Sequence, residues 1–289
     1  MENRNYEEIT KEVQEIMEKK HPDVTVKPQT VIKNGVSCFG LSFCKEGERV
    51  SPTIYLRENS DAEEIVEVYE NVPSKNDVDA DDIIKTVTDK DTVLSIVLPR
   101  LYRYNESTKE EYFTVNYLDI LVGFYIPVEG GAINVTNALI ENLELNVTEV
   151  FEAAVSNMSN TVTIDTMDNI LAGMLGDDYM APEGGDQMFI MGNTKKYYGA
   201  AAILCKDKLN ELCDKHGDMV ILPSSVHETI LIPYNENNCN IDDLADIVKN
   251  VNTTLAEVDL LSDSVYFLHD GEIFTIDECY EKEIMKKIS

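Results

Sequence analysis

The sequence predicts an α+β protein, with mixed helices and antiparallel hairpins in two associated halves, residues 1–109 and 110–289. Three observations carry this. Asn34-Gly35 and Asp270-Gly271 each join two apolar-patterned runs and have the chemistry of type I′ hairpin turns. Amphipathic stretches with helix start signals recur among the strand runs. The two kinds of element mix without regular βαβ alternation, which disfavours a parallel α/β sheet.

In order, Asn5–Lys20 reads as a helix with Tyr6, Ile9, Val13, Ile16 and Met17 on one face, stopped by Pro22. Val24–Lys33 and Val36–Phe43 flank the first hairpin turn, and Thr53–Leu56 is a third strand. Ser60 with Glu63 opens a second helix that turns Ala62, Ile65, Val66 and Tyr69 inward. Residues 74–91 are acidic and read as a loop or solvated helix. Val93–Leu101 is apolar but too short for its periodicity to separate strand from helix. Polar Asn105–Glu111 is the junction between halves. Tyr117–Val128 reads as a buried strand, Gly130-Gly131 as a turn, and Ala132–Val135 as a short strand. Helices follow near Thr136–Leu143, after the Asn146/Glu149 capping pair, and over Asp165–Met174 behind a strand at Thr161–Ile164. Gly176–Asp186 is a Gly- and acid-rich loop. The last third predicts strands at Met188–Met191, Met219–Leu222, Thr229–Ile232, Val265–His269 and Glu272–Ile276. Between them lie helices at Cys205–His216, closed by Gly217, and after Asn240.

Charge is the most conspicuous feature. The net charge is −30, and Glu110 to Thr194 holds fourteen acidic residues with no Lys, Arg or His. Such a field repels nucleic acid and anionic lipid and attracts basic partners. The longest apolar run, Ile120–Val128, falls far short of the roughly 20 residues a membrane helix needs. The charged N-terminus has no apolar segment of signal-peptide type. Six cysteines at irregular spacing fit a reducing compartment better than a disulfide framework. The expectation is a soluble cytoplasmic protein without direct nucleic-acid or membrane contact.

Four strings stand out: Pro52-Thr-Ile-Tyr-Leu56, Gly199-Ala-Ala201, Ile221-Leu-Pro-Ser-Ser-Val-His-Glu228 and Leu261-Ser-Asp-Ser-Val-Tyr266. In that order they resemble the bacterial domain-of-unknown-function family 5688, over nearly the whole chain. Met188–Asn193 departs from that pattern at Gly192. A local likeness links Tyr117–Met158, with its Ala153–Asn157 ending, to the YtpQ-like uncharacterised family. The resemblances imply a bacterial cytoplasmic protein of the kind carried on mobile elements. They imply no activity and no catalytic residues.

Ser225 and His227 are the most enzyme-like pair. On a strand they share a face about 6.6 Å apart, so contact depends on side-chain reach or a bend. No G-x-S-x-G elbow accompanies them. The alternative is a Pro-Ser-Ser turn whose hydroxyls bond local backbone, followed by a core strand. Cys205, Cys213 and His216 cluster on one helix face within about 80°. Leu209 and Leu212 share that face, and no fourth ligand is nominated, so no metal site is expected. Asp177, Asp178, Glu183 and Asp186 lack EF-hand order. Tyr197 and Tyr198, after Lys195-Lys196, read as a surface turn before Gly199. No phosphate-binding glycine motif occurs, and no cofactor is expected.

The sequence therefore predicts a binding or interaction protein without catalysis. Two sharper alternatives are an acidic DNA mimic for a basic DNA-binding partner and a hydrolase using Ser225 and His227. The mimic reading puts Glu141/Glu144, Glu149/Glu152 and Asp165/Asp168 in three-apart pairs on helices, facing water opposite apolar stripes.

Overall fold

A computed structural model describes residues 6–47, 51–57, 59–71, 80–128, 131–176, 180, 187–235 and 240–284. The N-terminal helix α1 (Tyr6–Lys20) buries Ile9, Val13 and Met17, the face its periodicity predicts. Strands β1 (Val24–Lys33) and β2 (Val36–Lys45) pair antiparallel through Asn34-Gly35. Both turn residues have positive φ, 50° and 77°, as a type I′ turn requires. Strand β3 (Thr53–Tyr55) adds to β2, and α2 (Ala62–Asn71) packs beside α1. The cap of α2 is Asp61, whose Oδ1 accepts the Glu63 N–H at 2.9 Å. Ser60, the predicted cap, accepts the Arg57 N–H instead. These elements share their own core of Leu41, Phe43, Ile65 and Val66 with the α1 face.

The acidic stretch after the second helix contains α3 (Ala80–Thr88) and α4 (Lys90–Ile96), with 74–79 outside the described residues. The unassigned Val93–Leu101 segment divides between the end of α4 and strand β4 (Leu98–Arg103). The predicted junction is a short helix, α5 (Glu106–Glu111), capped by Asn105. Strand β5 (Thr114–Tyr117) then forms a hairpin with β6 (Ile120–Val128) around Leu118-Asp119. Because β4 also pairs with β6, one sheet spans residue 109. β7 (Gly131–Asn134) pairs with the far end of β6.

Helices α6 (Asn137–Asn142) and α7 (Val147–Ser159) follow, and α7 begins with the complete Asn146/Glu149 capping box. Asn157 ties α7 to α4 by donating to Leu94 O at 3.0 Å and Val97 O at 2.9 Å. β8 (Val162–Thr166) and α8 (Met167–Leu175) come next. The C-terminal sheet has six strands, in the order β13-β12-β10-β11-β9-β8. Its other members are β9 (Phe189–Asn193), β10 (Met219–Leu222), β11 (Thr229–Pro233), β12 (Tyr266–His269) and β13 (Glu272–Thr275). Asp270-Gly271 makes the second predicted hairpin turn, at φ 47° and 72°. Helices α9 (Lys206–His216), α10 (Ile241–Asn252) and α11 (Ile276–Glu281) complete the chain, α11 being a short helix that the sequence reading lacked.

The main core runs continuously from Val93 on α4 to Leu268 on β12. At its centre lies a buried 3-10 turn, Gly199–Leu204, against β4, β9, β11 and α7. This turn joins the two larger sheets. A Cβ on Gly199 would sit 2.4 Å from His227 O and 2.8 Å from Asn193 N, so only glycine fits there.

Candidate functional site

Three parts of the molecule meet at Asn34. This 5 % exposed residue donates from Nδ2 to Val258 O (3.1 Å) and Leu260 O (2.5 Å), while its Oδ1 accepts the Arg103 N–H (2.8 Å). The hairpin turn is thereby held to the end of β4 and to the loop before β12. Behind it opens a cavity of about 210 Å³, whose walls include Lys33, Tyr55, Arg100, Tyr102, Asn134 and Tyr198.

Arg100 is the unusual group. It lies within β4 and is 6 % exposed. Its guanidinium rests against the Tyr102 ring, 4.1 Å from the centroid, and the Tyr198 ring, at 3.6 Å. Nη1 donates to Asn134 Oδ1 at 2.8 Å, and Nε is buried without a hydrogen-bond partner. Among the described residues no carboxylate forms an ion pair with it. An unpaired buried ion carries a desolvation cost of several kcal/mol. Two cation–π contacts of roughly 0.5–2 kcal/mol each offset only part of that.

Local sequence explains the geometry. Arg100 pairs across the sheet with Gly123. A Cβ on Gly123 would lie 2.5 Å from the Tyr102 ring, so the glycine in the apolar β6 run makes room for that ring. Tyr198 reaches Arg100 because its backbone adopts φ 53°, two residues after Lys196 at 52°. Asn193 holds this strained turn, accepting from Lys195 N at 3.1 Å and donating to Tyr197 O at 2.9 Å. The two tyrosines then share a hydroxyl hydrogen bond of 2.7 Å.

The surroundings are tuned by burial. Burial, reinforced by Glu111, pushes the Tyr112 hydroxyl up to about 12, and burial pushes Tyr125 to about 12. Tyr102 and Tyr197 are raised for the same leading reason. Lys33 stands at the cavity mouth, 3.5 Å above the Tyr55 ring. It is exposed by area, yet its ammonium is crowded enough that burial lowers its pKa. Arg100 lowers that pKa further, while Cys38 and Asp259 act in the opposite direction.

Ser225 and His227 lie in the β10–β11 connection. Ser225 Oγ accepts the His227 backbone N–H at 3.0 Å, the local turn of the structural alternative. The imidazole faces elsewhere: Nδ1 lies 3.4 Å from the Tyr198 N–H, and Nε2 lies 3.3 Å from Asp259 Oδ1. His227 also stacks parallel to Tyr198, so it supports the cavity wall from behind.

The acidic pairs are not equivalent. Glu141 is exposed on α6, but Glu144 lies beyond the helix end at φ 50°. Glu149 is held by the α7 cap and by Lys90 at 3.0 Å, which draws its carboxyl below the usual range. Glu152 is exposed on α7. Asp165 belongs to β8, where its Oδ1 accepts from Asn169 Nδ2 at 2.8 Å, and Asp168 opens α8. The helical three-apart spacing thus holds for Glu149/Glu152 and fails for Glu141/Glu144 and Asp165/Asp168. The acid-rich loop at 177–186 lies outside the described residues apart from Met180.

Cys205 is buried, and burial pushes its thiol up to about 11. Among the described residues no group of three His, Cys, Asp or Glu side chains converges in metal-binding geometry. No helix among them is long and apolar enough to cross a membrane.

Fold and site together define an α+β protein with a tyrosine-walled cavity around a buried arginine that has no ion-pair partner among the described residues. The chain belongs to the family of unknown function DUF5688, whose model matches residues 4–269 of 289. No curated protein and no solved structure matches it. The resemblance read from the four strings is therefore shown. Two of them bear on the cavity: Tyr55 lines it, and Gly199 positions Tyr198.

Sequence reasoning did not find Arg100, Lys33, Tyr102 or Asn134. The available signal was a lone arginine inside an apolar segment, Leu98-Pro-Arg-Leu-Tyr102. Charged residues are almost never fully buried without a reason.

Proposed function

We propose that this chain is a non-catalytic binding protein whose tyrosine-walled cavity takes a small oxyanion. The observation that carries the reading is the buried Arg100 guanidinium with no carboxylate partner among the described residues. An oxyanion supplies the missing countercharge and accepts a charge-assisted hydrogen bond from the guanidinium. The cavity is smaller than the roughly 300–1,000 Å³ of drug-sized sites, which favours a small ligand. The hydrogen bonds of Ser225 and His227 favour a supporting role over hydrolysis.

Isothermal titration with phosphate, sulfate and acetate at low ionic strength tests this. Saturable binding at one site is expected, lost in Arg100→Gln. No heat and no thermal shift with any anion at millimolar concentration would sink the reading.

The exposed Glu141, Glu144 and Glu152 favour a second reading, in which the acidic block engages a basic protein in a bacterial cytoplasm. A partner isolated on the protein, released by salt and competed by DNA, is the expected result. Retention unaffected by Glu→Gln changes at these three positions would rule it out.

A further inference from the structure

We infer that the cavity selects a doubly charged tetrahedral oxyanion, phosphate or a phosphomonoester, over singly charged anions. This rests on the oxyanion reading and narrows it. Two features set the preference. The first is the free edge of Arg100. Nη1 is already committed to Asn134, and the Tyr102 and Tyr198 rings lie against the guanidinium. Nε is buried without a partner and closed to a water-sized group, which leaves Nη2, with no hydrogen bond among the described residues, as the uncommitted nitrogen. A charge-assisted hydrogen bond from Nη2 to one oxygen of an anion is the contact Arg100 has left to make.

The second feature is Lys33. It lines the same cavity from β1 and forms no ion pair among the described residues. Two cations thus serve one small cavity. A monoanion bound at Arg100 brings one negative charge to two cations. A dianion matches both, and its tetrahedral shape leaves oxygens for Lys33 and the cavity's tyrosine hydroxyls after one has met Arg100.

Competition titration at fixed pH 8 separates charge from shape. The probes are inorganic phosphate, methyl phosphate and sulfate as dianions, with dimethyl phosphate, methyl sulfate and acetate as monoanions. The dianions are expected to bind the intact protein at least about tenfold more tightly, equivalent to ~1.4 kcal/mol. Phosphate and methyl phosphate distinguish a free ion from an ester, and either order between them supports the inference. Arg100→Lys keeps the charge and loses the planar guanidinium held by Asn134 and the two rings, so all six probes should weaken. Since a buried substitution can disturb folding, Lys33→Met at the cavity mouth is the decisive variant. It should retain anion binding while the dianion preference falls to less than about threefold, ~0.65 kcal/mol. Equal binding of monoanions and dianions to the intact protein overturns the inference while leaving the oxyanion reading standing. An unchanged preference in Lys33→Met overturns the role of Lys33. Failure of every probe removes both.

Discussion

The carboxylates between Glu110 and Thr194 and the guanidinium of Arg100 carry charge in contrasting surroundings. Glu141, Glu144 and Glu152 face solvent, where water screens them and substitution is tolerated. Glu149 has structural work at a helix cap. Arg100 is surrounded by protein, touches two aromatic rings, and lacks an acidic partner among the described residues. In a chain of net charge −30, acidic residues are abundant, yet none among the described residues pairs with it. The conspicuous feature of the sequence is thus the less specific one. The informative charge is a single cation in the interior.

Breaking the cavity's frame should have the largest effect. Gly199→Ala forces a Cβ into His227 O and Asn193 N, both backbone atoms that cannot move aside cheaply. A loss of about 3 kcal/mol or more is expected in urea denaturation, with a changed near-ultraviolet tyrosine signal. A loss below about 1 kcal/mol would mean that the Asn193–Gly199 turn is not the rigid support described.

Asn34→Ala comes next. It orphans two carbonyls and one N–H where the hairpin meets the rest of the chain. Roughly 2–4 kcal/mol should be lost, since each unsatisfied buried group costs about 1–3 kcal/mol and such losses are not additive. Anion binding should weaken with it, because Lys33 is the adjacent residue. Stability loss with unchanged affinity would separate the hairpin from the site.

Alkaline titration sharpens the comparison spectroscopically. Burial raises Tyr112, Tyr117 and Tyr125 to about 12 in the folded state. A raised pKa stabilises the fold fully below the unfolded value near 10, and that contribution is lost as pH rises from there through the folded value. Tyrosinate absorbance should therefore lag that of the unfolded chain, and stability should fall between about pH 10 and 12. Coincident native and unfolded titrations would contradict the burial of the tyrosines.

The smallest effect belongs to the acidic surface. Replacing Glu141, Glu144 and Glu152 together by Gln should change stability by no more than about 0.5 kcal/mol per site. Affinity for anions should change little at physiological salt, where the Debye length is about 8 Å. A large gain in affinity would show that the surface field reaches the cavity.

What could be read in advance follows the range of the interactions. Asn34-Gly35, Asp270-Gly271, the Asn146/Glu149 cap and Gly217 are local devices, and each forms as its residues predict. Val93–Leu101 was ambiguous because a short apolar run serves equally as a helix end and a central strand, and here it is both. The site was illegible because its walls come from β1, β3, β4, β7 and the Tyr197–Tyr198 turn, segments far apart in sequence. Nothing local to Arg100 states that Tyr198, almost a hundred residues later, will cover it. The Ser225/His227 proximity in sequence, by contrast, is a turn hydrogen bond in space.

Thermal unfolding of Arg100→Met, paired with phosphate titration, tests the central claim most directly. Methionine retains much of the side-chain volume and removes the unpaired buried charge. The melting temperature is expected to hold or rise, because replacing buried ionic groups with well-packed apolar ones is often neutral or stabilising. Phosphate binding should vanish in the same variant. A large fall in melting temperature would instead make Arg100 a structural keystone satisfied by Tyr102, Tyr198 and Asn134, and retained phosphate binding would remove it from the site.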